Sequence, residues 1–274
     1  MRYFLLLILS ALFCCSSETD NQSVSQTETT SFKSLDSVVN KGFKTLHIMV
    51  ALCDNQYQGI VPVPAKIGNG RDLKNNLYWG CGYGIKSYFK KSAEWQLIKT
   101  IAIDSILLER LVFKHKTKAF YLIADAYNGR YIKNCTVDFL NSCAGKKKDT
   151  LTAGGKLLGI NGYAALTAYI GHDGLMDFSL DETFEKADEQ NRSCIILACY
   201  SKSYFQSFVQ QSGAYPLVWT TGLMCPEAYT VHDAISAYVK GENRDSIRNK
   251  AVAAYARYQK CGLKGASRLL KGGF

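Results

Sequence analysis

Spacings that hold a metal are missing from this chain. It has no Cys-x-x-Cys and no His-Glu-x-x-His, and its four histidines, His47, His115, His172 and His232, stand far apart. Zinc sites draw their ligands from such spacings, so no metal is expected. The glycine-rich stretches Gly68-Asn69-Gly70 and Gly80-Cys81-Gly82-Tyr83-Gly84 lack the phosphate-loop lysine pattern and do not directly follow a strand. They carry little weight as nucleotide sites, and no cofactor is expected. Long basic runs are missing too, despite a formal net charge of +10. The densest clusters, Lys146-Lys147-Lys148 and Lys114-His115-Lys116, are short and loop-like, so a solvated surface is the reading and nucleic acid is not an expected partner.

A run long enough to span a bilayer is also lacking at the amino end. MRYFLLLILSALFCCS has a basic residue at position 2, an apolar core at 4–13 and then small residues. That is the pattern of a secretory signal peptide over 1–15. The Cys14-Cys15 pair after it resembles a lipoprotein lipobox, with Cys15 as the lipid acceptor and Cys14 in the small-residue position. The resemblance implies an exported chain held to a membrane by an N-terminal lipid, in the periplasm or at the outer membrane of a bacterium. Residues 16–40 begin with SSETDNQSVSQTETTS, too polar to bury a core, and read as a flexible tether. With 274 residues and a hydrophobic fraction of 47%, the remainder, 41–274, is enough for one sizeable α/β domain.

Apolar runs at 46–52, 119–124, 164–170, 194–198 and 214–221 have the length and β-branched or aromatic content of buried strands. A hairpin is expected over 97–113, and helices over 75–90, 130–143, the dozen residues after Cys199, 226–240 and 246–260. Ser203 and Gln206 stand three apart as in a capping box, and Gly213 closes that helix. Strands alternating with helices indicate a mostly parallel central sheet with helices on both faces. The glycines at 154–155 read as a connection, and Asn75, Asn76 and Trp79 are placed near the cleft, with core packing also open to Trp79.

Two of these strands end on reactive side chains. AALTAYI runs into Gly171-His172-Asp173-Gly174, and CIILA runs into Cys199 just before a helical pattern. In an open α/β sheet, ligands collect beyond the carboxyl ends of the strands, so both groups are expected on the functional edge. A cysteine at a helix N-terminus beside an imidazole gains thiolate character. The first-turn N–H groups would face a developing oxyanion. Cys194, five positions before Cys199, falls on the opposite face of the strand and reads as core. Export would permit disulfides among the eight cysteines beyond residue 16; with Cys199 free the remaining seven are odd in number.

A strand ending in His-Gly followed by a strand ending in Ala-Cys resembles the caspase-like clan of cysteine peptidases, which includes caspases, legumain, clostripain and gingipains. The IILAC segment fits. Asp173 stands where the clan has glycine directly after histidine, and the interval of 27 positions between His172 and Cys199 is shorter than the roughly fifty of caspases. The resemblance implies a three-layer caspase-like fold. It implies a Cys199/His172 dyad hydrolysing peptide bonds in a peptide or protein substrate, and backbone groups of Asp173, Gly174 and Cys199 binding the oxyanion. Asp54, Asp125 and Asp177, at strand ends, offer carboxylates for a basic side chain, with surface or capping roles equally open. Trp219, Thr220 and Thr221 are pocket-wall candidates, Trp219 being also a core candidate. The alternative, favoured by Asp173, is an inactive scaffold of this fold that binds a protein partner at the cell surface.

Overall fold

The structure, a computed structural model, describes residues 36–274. The expected signal peptide, the expected lipid acceptor Cys15 and most of the expected tether therefore lie outside the described residues. From Val39 onward the chain builds a compact unit on an eight-stranded mixed sheet.

Near-continuous apolar runs become the strands with both faces covered. β1 (Lys44–Ala51) is buried at every position but the first. β7 (Leu166–Ile170) is buried throughout, and β8 (Ser193–Leu197) at every position after Ser193. With β4 (Phe120–Tyr127) and β9 (Tyr215–Thr220) they form the parallel centre. The hairpin of β2 (Trp95–Ala102) and β3 (Leu107–His115) extends the sheet antiparallel beyond β4. The two-residue β10 (Leu270–Lys271) closes the other edge against β9. The order is β10-β9-β8-β7-β1-β4-β3-β2. β4 lies on one side of β1 and β7 on the other, so the winding reverses at β1. The carboxyl ends of β1 and β7 thus flank the crevice where such sheets bind ligands.

Helices cover both faces, as the strand and helix alternation predicts. α1 (Ile85–Lys90), α4 (Ala228–Val239) and α5 (Arg244–Gln259) share one apolar cluster with Ile48, Ala168 and Leu197. α2 (Ile132–Ala144) and α3 (Ser201–Ser212) share another with Met49, Tyr169 and Ile196 on the reverse face. α6 (Gly262–Leu269) leads into β10.

Three expectations change. The helix expected over 75–90 is only α1; residues 75–84 are a chain of turns wound around Asn76. Its side chain accepts from the N–H groups of Cys53 and Tyr78 and donates to the carbonyls of Cys53 and Asn69, so local side-chain bonds displace the helical ladder. The glycines at 154–155 connect a hairpin, β5 (Lys148–Ala153) with β6 (Lys156–Asn161). The N-cap of α3 is Tyr200, which caps with no side-chain bond, so the Ser203/Gln206 pair is not a capping box. Gly213 does close α3, in the left-handed conformation.

Candidate active site

β7 and β8 are parallel neighbours, with Ile170 opposite Leu197. The Gly171 N–H still donates to the Leu197 carbonyl at 3.3 Å. Continuing that register brings His172 and Cys199 to the same rim of the sheet. Gly171 makes the exit from β7 possible: its φ is +146°, and a Cβ there would lie 2.7 Å from the Ala51 carbonyl oxygen.

Cys199 sits on a sharp strand-to-helix turn. Tyr200, immediately after it, holds a left-handed conformation with φ of 49°, costly for a residue with a Cβ. The turn persists because Thr220 and Ser201 brace it from beneath. The Thr220 hydroxyl donates to the Ala198 carbonyl and accepts from the Ser201 N–H, and the Ser201 hydroxyl donates to the Ile196 carbonyl at 3.0 Å. Thr220 is fully buried in this role, and Trp219 is fully buried in the core beside Phe274. Thr220 is therefore not the expected pocket wall, and Trp219 takes the core place that the sequence also left open to it, because β9 is an interior strand whose end is covered by β10.

The half-buried Cys199 sulfur donates to the Met224 carbonyl at 3.7 Å and accepts from the Met224 N–H at 3.4 Å. Burial raises its pKa, the Met224 N–H partly offsets this, and the nearby Asp173 carboxyl raises it further. The first-turn amide at Ser201 is already taken by Thr220, so the helix end gives the sulfur less help than its position suggests.

His172 is almost fully buried, and its Nε2 lies 2.8 Å from Asp177 Oδ2. A carboxylate can only accept, so Nε2 carries the proton and Nδ1 keeps its lone pair. Asp177 follows a short 3₁₀ turn (Gly174–Met176) and also accepts from the Gly59 N–H at 2.9 Å. A Cβ at Gly59 would overlap the Asp177 carboxylate. Asp177 is thus the histidine's orienting partner. The sequence offered it only as one acidic group among three; its signal was the spacing of five residues from His172. The His172 and Cys199 side chains share no hydrogen bond: the imidazole is held by Asp177 and the thiol by Met224.

Asp173 is fully buried. Its Oδ1 accepts from the Leu175 N–H at 3.0 Å, and its Oδ2 has no partner. Burial pushes this carboxyl up to about 7, against the Leu175 bond and with a further rise from Asp177. The Gly174 N–H is engaged by the Tyr169 hydroxyl, itself donating to the His172 carbonyl at 2.8 Å. Gly174 is therefore turned into the α2 side of the sheet, and its N–H is not an oxyanion donor as expected. With Asp173 fully buried, the amide of the half-buried Cys199 is the one left for that role.

The acidic candidates separate. Asp125 is enclosed within β4, bonded by Arg110 Nε at 2.7 Å and Arg110 Nη2 at 2.7 Å, and by His47 Nε2 at 2.9 Å. β4 continues to Tyr127, so Asp125 is interior to the strand and reaches no substrate. Asp54 lines a cavity of about 420 Å³ with Arg71, Asn128 and Arg130, and its Oδ1 accepts from the Gln56 N–H at 2.9 Å. Neither His172 nor Cys199 lines that cavity. Asn76 and Trp79 are fully buried; the Trp79 indole donates to Glu109 Oε2 at 2.8 Å, so both serve the scaffold. Cys194 is buried as expected, and all eight cysteines of the described residues are free thiols.

Comparison of the chain with protein-family models, with curated proteins and with solved structures found no match.

Proposed function

We propose that this chain is an exported, lipid-anchored cysteine peptidase with a caspase-like fold, in which Cys199 attacks the peptide bond and His172 moves the proton. The observation that carries the reading is the parallel β7–β8 register, which brings His172 and Cys199 to the same rim, next to the reversal of winding. A strand order of β4-β1-β7-β8-β9 with an antiparallel β10, and helices on both faces, supports the caspase-like assignment.

In this mechanism Asp177 fixes Nε2–H, so Nδ1 accepts the thiol proton and the carboxylate stabilises the imidazolium that results. The thiolate adds to the peptide carbonyl, and the amide of Cys199 faces the oxyanion. His172 then protonates the leaving amine, and water releases the acyl group from sulfur. Turnover requires the segment around Met224 to let go of the sulfur, because donation to the Met224 carbonyl and the surrounding burial favour the neutral thiol.

The same clamp favours a second reading, an inactive scaffold whose rim binds a protein partner. Peptide-library digestion by the full chain and by Cys199→Ala separates the two. Cleavage that vanishes in the variant supports the peptidase, and cleavage that persists overturns the assignment to Cys199. A chain that cuts nothing, and whose Cys199 is alkylated no faster than the exposed Cys225 and Cys261, is the scaffold.

A further inference from the structure

The cavity between the end of α1, the start of β2 and α4 has a volume of about 640 Å³ and is lined by Ser92, Glu94, His232 and Asp233, with the rings of Tyr83 and Tyr88. Three of these side chains are connected in line. Ser92 Oγ lies 2.9 Å from His232 Nε2, and His232 Nδ1 lies 3.0 Å from Asp233 Oδ1. The hydrogen positions are mutually consistent. The Asp233 carboxylate accepts, so Nδ1 carries the proton and Nε2 is the acceptor. Ser92 Oγ already accepts from the Glu94 N–H at 3.1 Å, which leaves its own hydrogen to donate to Nε2. The imidazole is held edge-on by Tyr88 and Phe89, each with ring centres at 5.2 Å, and Asp233 is steadied by Arg257 at 3.6 Å.

From this the geometry points to a second, serine-based acyl-transfer site, in which Ser92 is the nucleophile, His232 the proton carrier and Asp233 the positioning residue, acting on esters of small uncharged acids. Hydroxyl, imidazole and carboxylate in this order at these distances are the parts of a serine hydrolase, recognised by geometry and role, not by chain order. The site is separate from the sheet edge, since neither Cys199 nor His172 lines this cavity. The acyl preference follows from the lining: Lys91, Lys240 and Lys250 are matched by Glu94, Asp233 and Glu242, and the Tyr83 and Tyr88 rings supply the apolar wall.

In the reaction, Ser92 Oγ bonds to the ester carbonyl carbon while its proton passes to Nε2. The bond from that carbon to the alkoxy oxygen then breaks, and the leaving alcohol takes the proton from Nε2. Water adds to the acyl-serine, giving its proton to Nε2. Rupture of the Oγ–acyl bond returns that proton to Ser92 and releases the acid. Lys91 brings positive charge to the cavity in which the oxyanion develops, whereas Lys240 is paired with Glu94 at 3.3 Å.

The test uses the full chain carrying Cys199→Ala, which removes the competing thiol, with p-nitrophenyl acetate as substrate and a fluorophosphonate as covalent probe. The expected result is a single phosphonylated residue, Ser92, found by peptide mapping, and p-nitrophenolate release that Ser92→Ala and His232→Gln each reduce by roughly 100-fold or more. Asp233→Asn is expected to lower kcat with KM unchanged. An adduct elsewhere, no adduct, or ester cleavage undiminished in Ser92→Ala overturns the site. Should Ser92→Ala lose its near-UV circular dichroism, the adduct position on the chain that keeps Ser92 decides alone.

Discussion

Replacing Asp173 by Asn should change how stability depends on pH. In the folded chain the Asp173 carboxyl is fully enclosed, has one partnered and one unpartnered oxygen, and holds its proton up to about 7, where an ordinary aspartate releases it near 3.8. Between those values the folded chain keeps a proton that the unfolded chain has given up. Stability is therefore greatest below the lower value and falls as the pH rises through the upper one. The full cost of ionising the buried group is on the order of 4 kcal/mol. Of that, about 3 kcal/mol is lost between about pH 5 and about pH 8. Asparagine copies the neutral acid, since its carbonyl can still accept from Leu175 and it never ionises. Its unpaired amide adds a constant penalty, so the informative quantity is the slope. Urea unfolding of both proteins at several pH values should show the variant gaining about 3 kcal/mol on the parent across that range. Parallel curves for the two proteins would refute the placement of this carboxyl.

Asp177→Ala removes the group that fixes the His172 tautomer. For the proposed peptidase, kcat should fall by roughly 10² with little change in melting temperature, as steady-state kinetics beside a thermal scan would show. Thr220→Val deletes the hydroxyl that ties Ser201 N–H to the Ala198 carbonyl. It should cost about 1–3 kcal/mol in chemical denaturation, because buried backbone groups lose a partner. Asp125→Ala leaves Arg110 and His47 facing each other without their carboxylate, and should cost about 3–5 kcal/mol by the same measurement.

The parallel centre can be read from the chain because its strands are covered on both faces. Runs such as Leu46–Leu52 and Cys194–Ala198 admit few other fates, and the residues at their ends follow from the register. Asn76 marks the limit. The apolar spacing from Leu77 to Tyr83 suits a helix, but one buried amide bonding four backbone groups captures the segment instead. Asp125 falls on a pocket only if its strand ends beside it, and β4 in fact continues to Tyr127. Thr220 does end β9, but its hydroxyl is taken by Ser201 and Ala198 and it is paired by β10, a two-residue strand with no signal of its own. The orienting contact of Asp177 had only its spacing from His172 to announce it, because hydrogen bonds between side chains leave no periodic trace in the sequence.

The cluster of His47, Asp125 and Arg110 has a consequence for assembly of the sheet. A buried Arg110–Asp125 ion pair bonded to an imidazole tolerates a single alignment of β1, β3 and β4, because sliding any strand by one position turns its members to opposite faces and strands a naked ion. A misaligned pairing of β1, β4 and β3 is thus penalised within the sheet itself, whatever its edges do.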